Sequence, residues 1–339
     1  MNEDFSSSLA VAERLAPVRR RHVRTERDEE IRELFDDCLA ALKVDTGEDL
    51  RAEARGLMVV GESGAGKSRL LERLFLEHPE LPGYAKTGSG CPLVTVRVKS
   101  PASLASLGSE LLKAMGYPLA RDKKRWEIWR LVQTQIVRQG ILAIHIDEAH
   151  DILKTNAAEI EHIIDTFKTL MQDPHWPIIL ILSGTPELVR IANTDRQLGR
   201  RLSVYELHSI AAATHGEDIA ELVADYAEKA GLRTSFVDRD ALAARLIHAA
   251  ANQFGATLEL TFRAIRESFK EDAQALTVEH FARAYGKWTN CPSVMNPFVV
   301  DDWRTLDTKK LLQQHKPEQP EAGEDQPRKK PTPRRKTRW

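Results

Sequence analysis

Eight consecutive residues, Gly61-Glu62-Ser63-Gly64-Ala65-Gly66-Lys67-Ser68, have the types and spacing that hold a phosphate chain, G-x-x-x-x-G-K-[ST]. Glycines let the backbone curl so that successive N–H groups point inward at phosphate oxygens, and a helix starting near Lys67 adds its positive end. Lys67 would reach the β- and γ-phosphates of a nucleoside triphosphate, and Ser68 would offer Mg2+ a hydroxyl oxygen, with Arg69 completing the binding set. A second pair, Asp147-Glu148, closes the apolar run Ile141 to Ile146. Asp147 would hold Mg2+ through a water, and Glu148 would orient and polarise the water that attacks the γ-phosphate. The bland alternative for two adjacent acids is a helix N-terminus. Ser183 and Thr185, after a third apolar run, carry hydroxyls placed to touch the γ-phosphate or that water. Arg196, Arg200 and Arg201 either lie on the surface before an edge strand or act as arginine fingers on a neighbouring subunit's triphosphate.

Such residues need a parallel sheet to hold them. Short apolar or β-branched runs at Leu57–Val60, Leu93–Val98, Ile141–Ile146, Pro177–Ser183 and Leu202–Leu207 read as strands. Between them, helical spacing appears over 103–115, 126–138, 156–171 and 188–192. Ligands bind beyond the carboxyl ends of strands in such sheets, which is where the loop and the acids fall. Residues 26–42, with Ile31, Leu34, Phe35, Cys38, Leu39 and Leu42 on one stripe, predict a helix before the first strand. From about His215 the pattern is helical only, over 217–230, 238–250, 257–269 and 278–285, with no strand signal between. The expected fold is therefore α/β: a P-loop NTPase with a parallel central sheet flanked by helices, followed by a small all-helical lid. The expected division is a disordered N-terminus at 1–13, a lead-in segment and helix at 14–55, the α/β core at 56–210, the lid at 211–290 and an extended, largely disordered basic tail at 291–339.

With a net charge of −1, the chain has no global field that attracts nucleic acid, so any such binding must use local patches. Arg19-Arg20-Arg21 is either a solvated segment or a clamp on nucleotide or nucleic-acid backbone. Lys99, Lys113, Arg121, Lys123, Lys124 and Arg125 are candidates for double-stranded DNA, as is the tail from Arg328 to Arg338. No aromatic-rich base-reading motif accompanies them, so contact should be with phosphates and not sequence-specific. Three scattered cysteines, Cys38, Cys91 and Cys291, suggest neither a disulfide framework nor a zinc site. The polar start MNEDFSSSLA and the shortness of every apolar run give no leader and no membrane span, hence a cytoplasmic expectation with no membrane partner.

The phosphate loop, DEAH after a buried strand, SGTPEL after the next, the QLGRR segment and the lid together resemble an AAA+ ATPase. More narrowly, IDEAHDIL, LSGTPELVRI and RLAPVRRRHVRT look like the TniB/TnsC family of transposition ATPases, with the B protein of phage Mu a more distant relative. The resemblance covers roughly residues 14–290. It implies self-association into an ATP-dependent ring or helical filament on DNA, recruitment of a DDE transposase, a target-selection adaptor protein and slow hydrolysis stimulated by assembly, DNA or partner. One departure stands out: the Gly-x-x-Arg setting of a sensor-2 arginine here reads Gly255-Ala256-Thr257-Leu258, with Arg263 and Arg266 further on. A replication initiator or helicase loader would share every ATP residue, but would usually append a helix-turn-helix unit of which no pattern follows Trp288. A DEAH helicase would need a second lobe between SGT and QLGRR, where only about a dozen residues intervene. A switch that binds ATP without hydrolysing it would not call for Glu148.

Overall fold

Five apolar runs form the strands β1 Gly56–Gly61, β2 Leu93–Arg97, β3 Ala143–Asp147, β4 Ile179–Gly184 and β5 Leu202–Leu207. All pair in parallel, in the order β2-β3-β4-β1-β5. The structure, a computed structural model, describes residues 3–44, 54–86, 90–100, 102–236 and 238–313. β1 and β4 are buried at every position, which is why they lack the polar alternation of a half-exposed strand. β5 has one paired side only, and its middle residues alternate between half-buried and exposed.

Strand periodicity divides the core in two. Met58, Val60, Ile144, Ile146, Leu180 and Leu182 point to a layer made by α4 Leu104–Ala114, α5 Arg125–Gln139 and α6 Ala157–Met171. Leu57, Val59, Ala143, Ile179 and Ile181 face the other layer, made by α2 Glu26–Lys43 and α3 Lys67–Glu77. Two short helices, α7 Val189–Thr194 and α8 Arg196–Gly199, lead from β4 to β5. The predicted helix over 26–42 is α2, and its Ile31, Phe35, Cys38 and Leu39 are buried as the spacing requires.

A third apolar cluster belongs to α9 Ala212–Lys229, α10 Arg239–Ala249, α11 Phe254–Lys270 and α12 Val278–Thr289. A parallel pair of two-residue strands, Arg233–Thr234 with Ala275–Leu276, ties its loops together, so the expectation of helices alone is corrected. α11 starts three residues before the predicted Thr257. Both flanks of this lid also depart from expectation. Residues 1–13 were expected to be disordered, yet α1 Glu3–Arg20 is a helix that buries Val11, Leu15 and Val18 against the lid cluster, with Arg14 paired to Asp272 and Arg19 to Glu259. Its stripe is only three residues long and its partner face is remote, so no local pattern announces it. After Pro292 the chain loses periodicity but not packing. Phe298, Trp303 and Leu311, the last on α13 Thr308–Gln313, are buried, and the Arg245 guanidinium donates to the Pro297 and Val300 carbonyls at 2.8 and 3.0 Å. Residues 291–313 are therefore not the extended tail that was expected from residue 291, and the basic part of that expected tail lies outside the described residues.

Candidate active site

The phosphate loop joins β1 to α3 at the carboxyl end of the sheet. Gly64 and Gly66 have φ of +89° and +104°, values that a side chain would strain. Gly66 is the N-cap of α3 and offers no side chain, so the first N–H groups of that helix are left to whatever the loop cradles. Lys67 is buried, and its ammonium donates to the carbonyls of Gly61 at 2.7 Å and Glu62 at 3.1 Å, which holds the charge inside the loop.

Parallel pairing sets the acids beside this loop. Val60 of β1 is in register with Gly184 of β4, and Leu182 with Ile146 of β3, so Asp147, Glu148, Ser183 and Thr185 gather at the same end of adjacent strands. Glu148 adopts a left-handed conformation, φ +53°, as the strand turns into the 3₁₀ segment Ala149–Lys154. The plain helix-cap alternative is thus half right: Glu148 caps that segment, but its carboxylate is turned elsewhere. It meets Arg97 at 3.4 Å and His150 at 3.3 Å. The Thr185 hydroxyl is buried and has no hydrogen-bond partner among the described residues. Ser183 is fully buried and already engaged, donating to Asp147 Oδ1 at 2.6 Å and lying 2.9 Å from His145 Nε2. Burial pushes the His145 imidazole down to about 4 against the opposing pull of Asp147, so it is neutral, and its ring meets Phe75 edge-on at 5.3 Å.

Beside the loop lies a cleft of about 490 Å3 between α3, the lid and the chain leading from α1 to α2. Arg19, Arg20, Arg27, Arg69, Tyr226 and Phe262 are among its walls. Arg19 and Arg69 each hold their guanidinium 5.4 Å from the Phe262 ring centroid, and Arg73 donates to the Arg20 carbonyl. The basic run therefore lines the cleft, with Arg19, Arg20 and Arg21 still exposed. Its turn is pinned by Asp28, which takes hydrogen bonds from Thr25 and pairs with His22 at 2.7 Å. Burial pushes the Asp28 carboxyl up, but those hydrogen bonds prevail and hold it below the usual carboxylate range.

The lid touches the phosphate loop directly. Ala256 N–H donates to the Gly64 carbonyl at 2.9 Å, and a Cβ on Gly255 would lie 2.7 Å from that oxygen and 2.9 Å from Gly66 Cα. Leu258 faces the cleft where a sensor-2 arginine would sit, while Arg263 pairs with Glu259 and stacks on Trp288 and Arg266 is exposed. The arginines of the cleft beside the loop come instead from α1, α2 and α3.

Arg196, Arg200 and Arg201 are not brought to this site. Gly56 N–H donates to the Arg201 carbonyl at 2.8 Å, which fixes these residues at the amino end of β1. Six residues at about 3.3 Å each put them roughly 17 to 20 Å or more from the phosphate loop of their own chain. Of the DNA candidates, Lys99 is paired with Glu110 and Arg125 with Glu159, whereas Lys113, Arg121 and Lys124 are exposed. Lys123 is half-buried. Sequence reasoning missed Arg97 and His145. A histidine two residues before Asp147 in an otherwise apolar strand shares its face, and that period-two coincidence was the available signal.

Strand order, phosphate loop, acids and helical lid define an AAA+ P-loop ATPase. The chain is similar to Cdc6p from Pyrobaculum aerophilum, with a TM-score of 0.53 and 13% identity over 76% of this chain and 65% of that one. It is also similar to the ORC1 protein of Aeropyrum pernix, solved in complex with DNA, with a TM-score of 0.54 and 16% identity over 80% and 69%. The chain thus spans about two thirds of the length of these proteins, and at such identities the likeness is one of fold. Residues 19–211, more than half of the chain, match the family described as Bacterial TniB protein, and the chain belongs to that family. No match was found among curated proteins.

Proposed function

We propose that this chain is an ATP-dependent, DNA-binding regulator of transposition that assembles on target DNA and recruits or activates a DDE transposase, with a target-selection adaptor as a further partner. The observation that carries the reading is the separation of parts within one subunit. Loop, acids and Thr185 meet at one end of the sheet, and the Arg196–Arg201 segment lies at the other. A triphosphate site completed by the Arg196–Arg201 segment therefore needs a second copy, and assembly becomes a condition of hydrolysis.

In this reading, loop N–H groups and Lys67 hold the β- and γ-phosphates, and the arginine-rich cleft takes the rest of the nucleotide. Ser68 and Asp147 supply hard oxygen donors. Two such donors suit an ion that takes few protein ligands and keeps its waters. Mg2+, when bound, neutralises charge on the phosphates. Glu148 takes the proton of the attacking water, and Arg97 and His150 hold its carboxylate until then. Thr185, with an uncommitted hydroxyl, is the group for the γ-phosphate. Lys113, Arg121, Lys123 and Lys124 contact DNA phosphates without reading bases.

Electron microscopy with duplex DNA and a non-hydrolysable ATP analogue tests this. Rings or filaments that need both ligands are expected. Monomers that bind the analogue without DNA-dependent assembly would refute the reading.

A further inference from the structure

Ser183 cannot both serve a phosphate and hold Asp147. A hydroxyl has one proton, and at 2.6 Å Ser183 spends it on Asp147 Oδ1. Toward His145 Nε2, 2.9 Å away, it can then only accept, so the imidazole carries its proton on Nε2. The other ring nitrogen, Nδ1, is buried and has no hydrogen-bond partner among the described residues, consistent with the tautomer that leaves it unprotonated. Three side chains on two adjacent strands thus form a directed chain, His145 to Ser183 to Asp147, enclosed by Phe75 and the sheet. A buried imidazole with one polar contact on an otherwise apolar strand is costly unless that contact is made well.

We propose that His145 and Ser183 are positioning residues that lock one oxygen of Asp147, leaving its other oxygen for the hydration shell of the divalent cation. Neither touches the nucleotide. Outer partners of this kind orient a ligand carboxylate, and their loss typically weakens metal affinity about 10- to 100-fold. This rests on the nucleotide site proposed above, and it splits the two hydroxyls that sequence offered as equivalent: Ser183 works through Asp147, and Thr185 remains for phosphate.

The test is binding of a fluorescent ADP to the full chain, titrated with Mg2+, and again in excess chelator. Ser183→Ala should raise the Mg2+ concentration needed for half-saturation about tenfold or more, with affinity in chelator unchanged. His145→Leu should do the same, His145→Gln, which keeps an N–H donor, should recover part of the loss, and the Ser183→Ala, His145→Leu pair should be no worse than either single change. The double variant leaves no orphaned donor, so it guards against a folding defect in the singles. Wild-type Mg2+ dependence in Ser183→Ala, or equal losses with and without Mg2+, would overturn the strut. Nucleotide binding that survives Lys67→Ala would instead overturn the site itself.

Discussion

Lys67 is held by carbonyls of the loop it serves, so its removal takes away the charge that balances phosphate at that loop. Lys67→Ala should abolish nucleotide binding, while Glu148→Gln should retain it and cut turnover by about 10²–10⁴-fold, the usual worth of a positioned base. Equilibrium binding and phosphate release, measured on both variants, separate the two roles. Gly255 gives a different kind of prediction. Alanine favours a helix over glycine by about 1 kcal/mol, but its Cβ would press on backbone atoms of the phosphate loop that cannot rotate away, at a cost of about 1–3 kcal/mol. Gly255→Ala should therefore lower both Tm and nucleotide affinity, and a rise in both by calorimetry and titration would show that lid and loop do not abut. The loop and the acids were legible in sequence because phosphate chemistry dictates their spacing. His145 and Arg97 were not, because their meaning depends on strand register.

At the level of elements, strands and most helices followed from periodicity, since burial on both faces or on one stripe writes itself into the chain. α1 did not, because a three-residue stripe acquires meaning only against α11. Leu15→Ala should cost about 2–5 kcal/mol where its cavity stays open, and hydrogen exchange should speed up in α1 and along α11 while β1 and β4 stay protected. Unchanged exchange in α11 would mean that α1 is not docked in solution. The α8–β5 segment carries the assembly prediction. Arg200→Ala with Arg201→Ala should leave nucleotide affinity intact and reduce hydrolysis by about 10³-fold or more when the protein is assembled on DNA. Wild-type turnover under those conditions would remove these arginines from the reaction.

For the whole molecule, a charge of −1 rules out holding DNA by bulk attraction. One subunit offers few phosphate contacts, and each weakens with salt, so useful affinity should come from several subunits aligned by ATP at their interfaces. Duplex binding is expected to be cooperative, ATP-dependent and steeply salt-sensitive, with a truncation after Pro317 keeping the ATP dependence. Tight binding without ATP that disappears with the truncated residues would assign DNA to the tail alone. The order in which the chain is made adds a constraint of its own. Arg14 pairs with a residue 258 positions further on. At about 5–20 residues per second, α1 leaves the ribosome roughly ten seconds to a minute before its partner exists. Its apolar stripe must wait in solvent or in the care of a chaperone while the sheet folds, and one wall of the cleft can close only once α11 has been made.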